Sequence, residues 1–166
     1  MLCAAMLTLS MPALAQQATL PNGANSLQET YQDWQLSCAV RENTRACAVS
    51  QDQTQENGQR LLAVEIGVGS DGAVATLLLP FGILFEPGVT PQIDDQAPLP
   101  PVRFRTCLPR GCIAVMPTDQ ATLDRMRTGS TLKLIVTTAA NTSMTFPVSL
   151  SGLTAALDRL SAINGS

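Results

Sequence analysis

The 166-residue chain contains no histidine. That removes the Ser-His-Asp and Cys-His arrangements, and with them any imidazole metal site. Lysine occurs once, as Lys133, so a Ser–Lys dyad has a single candidate base. Lys133 sits between Leu132 and Leu134 in an alternating segment, where a polar side chain facing water is the ordinary expectation. Aromatics make up 4% of the chain and charged residues 14%, so most of the surface must be neutral and polar. Net charge is −3, which argues against nucleic acid as a general partner. No stretch after the first fifteen residues is long and apolar enough for a transmembrane helix, which takes about 20 residues. No residue is assigned a catalytic or metal-binding role, and no cofactor is expected.

What is present begins at the N-terminus. Met1 to Pro12 run without charge through Leu2, Ala4, Ala5, Met6, Leu7 and Leu9, and end at Ala13-Leu14-Ala15. A short apolar run closed by small residues is a signal-peptidase substrate, although the usual basic residue before it is missing. Residues 1–15 are therefore read as a cleaved signal peptide. Residues 16–30, which are polar and contain Pro21-Asn22-Gly23, are read as a flexible leader. One domain is expected over 31–166, in the periplasm or on the outer surface.

Export makes sense of the cysteines. Of five, Cys3 leaves with the signal peptide; Cys38, Cys47, Cys107 and Cys112 remain, an even count suited to disulfides in an oxidising compartment. Three connectivities are open. Short loops close most easily, which favours Cys38–Cys47 and Cys107–Cys112, each adding about 2–3 kcal/mol in the chain-entropy view. A zinc site is disfavoured by the spacings and the absent histidine.

Period-two alternation runs through Leu62, Val64, Ile66 and Val68, and again through Leu132, Leu134 and Val136 and through Met144, Phe146, Val148 and Leu150. Strands are expected at Val74–Leu79, Val102–Cys107 and Gly111–Met116, with loop and a short edge strand across Pro80–Pro101. Two short helices interrupt them. Thr118 is expected to cap one ending at Arg127, with Gly129 as its stop; Ser151 is expected to cap another, striped by Leu153, Ala156, Leu157 and Leu160. Many short strands separated by turns point to an all-β sandwich.

Three residue groups invite a functional reading. Arg103 and Arg105 share one face of the Val102–Cys107 strand and, with Arg110, form a basic edge suited to an acidic partner such as a lipopolysaccharide phosphate. Cys107-Leu-Pro-Arg-Gly-Cys112 has arginines that would favour a thiolate, but its spacing is not Cys-x-x-Cys and no helix is expected at the first cysteine. Asp94 and Asp95 with Glu86 lack the dense oxygen-ligand loop that calcium needs. Trp34 is expected to pack in the core against the Cys38 disulfide.

The ordered set Trp34-Gln35-Leu36-Ser37-Cys38, Cys47-Ala48-Val49-Ser50-Gln51, Leu79-Pro80-Phe81-Gly82-Ile83, Pro87-Gly88-Val89, Ile93-Asp94, Phe104, Cys107, Gly111-Cys112, Ala114, and Ser149-Leu150-Ser151-Gly152-Leu153 with Ala156-Leu157 resembles the invasion-associated locus B family. The resemblance spans about Tyr31 to Leu160, with Leu153 replacing an aromatic usual in the family. It implies an immunoglobulin-like β-sandwich, export, four disulfide-bonded cysteines and no assigned catalysis, with a link to host-cell invasion in pathogenic relatives. The expected role is a non-enzymatic exported binding or envelope-associated module. Its partner would be an envelope component or a host-surface protein. A periplasmic thiol-disulfide or accessory enzyme is the alternative. Intact-mass measurement of the protein recovered from the periplasm is expected to give a chain starting at Gln16 with no free thiol; a full-length cytoplasmic product would overturn the compartment.

Overall fold

A computed structural model describes residues 20–56, 58, 60–69 and 72–165. The expected signal peptide, residues 16–19 of the expected leader, and Ser70 and Asp71 lie outside the described residues. From Leu20 onward the leader expectation is corrected. Leu20 is buried, Pro21–Gly23 make a 3-10 turn, and Ser26–Tyr31 form a strand, β1. That strand escapes a hydropathy reading because it is an edge. Its inward positions are Leu27, Glu29 and Tyr31, all only half-buried, and one of them is charged.

Two antiparallel sheets follow from the alternation. Trp34, Leu36 and Cys38 point inward from β2 (Trp34–Arg41) and Val49 and Gln51 from β3 (Thr44–Thr54). Leu62, Val64 and Ile66 do so from β4 (Arg60–Gly69), and Ala73, Ala75, Leu77 and Leu79 from β5 (Gly72–Leu79). The large sheet runs β1-β2-β3-β4-β5 and is then extended by β8 (Gly111–Thr118) and, at the edge, β7 (Phe104–Leu108). The small sheet places β9 (Thr131–Thr137) between β10 (Ser143–Ser149) and β6 (Thr90–Ile93). The class is the β-sandwich expected, with meander connections in which chain neighbours are mostly sheet neighbours. Pro91 and Pro147 lie in the two edge strands of the small sheet, where a proline is tolerated. The β2–β3 hairpin turns on Glu42 and Asn43, both at positive φ (48° and 61°), as a two-residue type I′ turn requires.

Buried polar atoms join the sheets. Trp34 is fully buried, and its Nε1 donates to the Ser149 carbonyl at 2.9 Å. Gln51, one of two buried polar residues among the described ones, donates from Nε2 to the same carbonyl at 2.9 Å and accepts from the Ser149 N–H at 3.2 Å. Gln53 reaches the Pro147 carbonyl at 2.7 Å. Trp34 is therefore a core residue, on the same strand face as Cys38, with its polar end satisfied across the sandwich.

Both helices appear, each capped one residue later than expected. For α1 (Gln120–Thr128) the cap is Asp119, whose carboxylate accepts from Thr122 N at 2.8 Å; Thr118 remains the last residue of β8, its hydroxyl directed to the Met116 carbonyl. A carboxylate is the stronger acceptor for helix N–H groups, and the positive helix end favours its charge. For α2 (Leu153–Asn164) the cap is Gly152 at φ 89°, and the Ser151 hydroxyl bonds Gln32 instead. α2 lies across β1–β3 and buries Leu153, Ala156, Leu157, Leu160 and Ile163. Each Leu or Ile there contributes about 1.5–3 kcal/mol relative to exposure. Arg159 on α2 holds Glu29 of β1 through both guanidinium and carboxylate arms, at 3.0–3.2 Å, and the Tyr31 hydroxyl donates to Glu29 at 2.6 Å.

Two predictions test this packing. A Cβ at Gly152 would sit 2.0 Å from the Tyr31 carbonyl oxygen, on a backbone that L-residues rarely adopt. Gly152→Ala is expected to cost about 2 kcal/mol or more, lowering Tm by several degrees in a thermal melt. Gly67→Ala, which meets nothing within 4 Å, serves as the neutral control. Glu29 is held below the usual carboxylate range by its hydrogen bonds from Arg159 and then from Tyr31. A lowered native pKa gives stabilisation that is present above the unfolded value and lost as pH falls through the folded one. Between about pH 6 and pH 3, wild type should therefore lose more stability than Arg159→Ser, and equal losses would remove the pair from the account.

Candidate functional site

β7 and β8 form a hairpin at the edge of the large sheet. Cys107 and Cys112 are direct cross-strand partners, as are Cys38 and Cys47 in β2–β3, and both pairs are disulfide-bonded. These are the local pairs that short spacing favoured. Cys112 is buried and Cys107 half-buried, and neither cysteine opens a helix, so nothing in this hairpin resembles a helix-activated thiol. Its two-residue turn is Pro109-Arg110, closed by Leu108 opposite Gly111. Gly111 has φ 141° and faces the Leu79 carbonyl, where a Cβ would come within 2.5 Å. The glycine thus lets the hairpin tip lie against the end of β5.

The arginines lie along this hairpin and just before it. Arg103 precedes β7, just after Val102 bridges to Val89; Arg105 lies where the β7–β8 register shifts between Phe104 and Thr106; Arg110 is in the turn. Val102 and Phe104 are half-buried while Arg103 and Arg105 are exposed, and the alternation breaks only at the register shift before Thr106. All three arginines are exposed. The four ion pairs of the described residues, Arg60–Asp52, Arg127–Asp158, Lys133–Asp95 and Arg159–Glu29, include none of them.

Arg103 also lines a groove of about 500 Å³ between the segment at Leu99–Val102, the strand around Met116 and the start of α1. The acid in that groove, Asp119, is engaged as the α1 cap, and its carboxyl is held below the usual range by the Thr122 hydrogen bonds. The acids once weighed for calcium have other work. Asp94 accepts from the backbone N–H groups of Ser130 and Thr131 at 2.8–3.2 Å, and Asp95 pairs with Lys133 at 2.7 Å. Lys133 is accordingly committed to an ion pair at the surface.

Sequence reading missed an apolar segment beside the arginines. Phe81 and Phe85 bracket Gly82-Ile83-Leu84, and the Phe85 ring stands 5.4 Å from that of Phe104, between Arg103 and Arg105 in the chain. Gly82 and Leu84 bond the backbone of Ala139 and Thr137, each at 2.8 Å, which holds the segment in place. The available signal was four large apolar residues, Phe81, Ile83, Leu84 and Phe85, inside a Pro- and Gly-bounded loop, where polar residues are usual.

The comparisons with known proteins agree with this architecture. The family model for Invasion associated locus B (IalB) protein matches residues 34–161. An invasion protein B homolog of Brucella abortus is 41% identical over 150 residues, 88% of this chain and 86% of that protein. Invasion protein B of Bartonella bacilliformis is 33% identical over 173 residues, 96% of this chain and 93% of that one. The crystal structure of invasion associated protein B from Bartonella henselae superposes with a TM-score of 0.78 at 32% identity, covering 84% of this chain and 98% of that one.

Proposed function

This chain belongs to the invasion-associated locus B family, and from that premise we propose a non-enzymatic, exported module that binds an acidic partner of the cell envelope through Arg103, Arg105 and Arg110. The observation that carries the reading is the row of three exposed arginines outside the ion pairs of the described residues, on a hairpin clamped by Cys107–Cys112. A disulfide-held hairpin loses little entropy on binding, and guanidinium groups match phosphate and carboxylate geometry.

Export is supported by the two disulfides, which persist in oxidising compartments. No helix of the described residues is long and apolar enough to cross a membrane. A binding rather than catalytic role is supported by the chain's missing histidine, by Lys133 paired to Asp95, and by cysteines held in cross-strand disulfides. The relatives' name, invasion protein B, adds a host-surface protein as the acidic partner in an invasive setting.

Replacing all three arginines with Ser is expected to abolish co-sedimentation with envelope fractions, with Tm unchanged within about 2 °C, as exposed positions allow. Wild-type binding should fall steeply as salt rises, since exposed charges are screened beyond about 8 Å at physiological ionic strength. Undiminished binding by a stable triple variant would make the arginines an ordinary solvated edge.

A further inference from the structure

Single apolar side chains on a surface need no explanation, whereas a contiguous group does. Six large apolar residues are most exposed among the described ones, and four of them, Phe81, Leu84, Phe85 and Leu108, lie at one end of the sandwich. Their placement follows from the register. β5 ends at Leu79, which pairs with Cys112; β7 ends at Leu108, opposite Gly111; Phe81 is two residues beyond Leu79. At its other end the segment meets the start of β7, through the Phe85–Phe104 ring contact. Phe81–Phe85 and Phe104–Leu108 each span at most about 14 Å when extended. The apolar strip therefore runs alongside the edge strand that carries the arginines.

Phe81 is 61% exposed and Phe85 56%, unusually high for aromatic rings held by a fixed backbone. Aromatic and aliphatic side chains next to arginines, with no acid inside the strip and Glu86 immediately after it, have the chemistry of an interfacial membrane contact: rings enter the headgroup boundary while guanidinium groups meet lipid phosphates. We infer that the Phe81–Phe85 strip, together with Leu108, is a membrane-docking surface that seats this end of the sandwich on an anionic phospholipid bilayer. This rests on the arginine reading for its charged half and adds the apolar half. The charge complementarity decides for a bilayer: a purely acidic protein would use the arginines and leave two exposed phenylalanines unexplained.

The test is flotation of the protein, expressed from its full coding sequence, with phosphatidylglycerol–phosphatidylethanolamine vesicles and with phosphatidylcholine vesicles. Wild type is expected to float with the anionic vesicles at about 0.1 M salt and to keep a measurable fraction bound at 1 M, where screening lengths are about 3 Å. The Phe81→Ser/Phe85→Ser variant is expected to bind at least tenfold more weakly at low salt and not at all at high salt, with a cooperative thermal melt lowered only by the few degrees that loss of the Phe85–Phe104 contact brings. Phe81→Trp, which keeps an aromatic, guards against a folding defect: its fluorescence should shift blue on anionic vesicles and be quenched by brominated acyl chains. Wild-type affinity in the double variant, or an unquenched Trp at position 81, would overturn the docking strip while leaving the arginine reading standing. No vesicle binding by wild type would overturn it too, and envelope co-sedimentation of the arginine variant would then decide that reading separately.

Discussion

The Ser149 peptide group is the point on which the two sheets are fixed together. Its carbonyl accepts from both Trp34 and Gln51, and its N–H donates back to Gln51, so two side chains of the large sheet grip one residue of the small sheet. An indole N–H or an amide buried without a partner costs about 1–3 kcal/mol. Sliding one sheet past the other would strand all three groups at once. Apolar contacts fill the space between the sheets but are non-directional, and it is these bonds that set the register.

Everything after Ser149 inherits that register. Leu150 N–H bonds the Ser130 carbonyl, Asp33 N–H bonds the Ser151 carbonyl, and Gly152 passes close enough to Tyr31 that no side chain fits. The chain then enters α2, which covers β1–β3 and is tied to the edge strand by Arg159 and Glu29. β1, with its polar composition, is held as a strand by these tertiary contacts.

At the opposite edge of the large sheet the problem is different. β7 is short, carries a bulge at Arg105 and is flanked by charge, features that discourage pairing with a second chain. The same arginines that protect the edge are available to an anion, and the Cys107–Cys112 bridge keeps their backbone in one place. Protection of an edge and the proposed anion contact would place the same physical demand on these residues: exposed positive charge outside the ion pairs of the described residues.

The sandwich class, most strands, both helices and the cysteine pairs were legible in the sequence, because alternation, helical stripes and short loop closure are local properties. β1 was not, since Leu27, Glu29 and Tyr31 are inward only relative to α2, more than a hundred residues away. The arginines were legible as a cluster with Arg103 and Arg105 at alternate positions; the register shift at Arg105 was not, because it is decided by how β7 meets β8. The Phe81–Phe85 strip read as loop, because only its pairing with Thr137–Ala139 and the Phe85–Phe104 contact bring it beside the basic edge. Local chemistry along the chain thus determined which residues form strands, helices and disulfides. Which exposed groups share a surface was decided by the tertiary structure alone, because adjacency between distant segments is set by inter-sheet hydrogen bonds and packing that no short window of sequence contains.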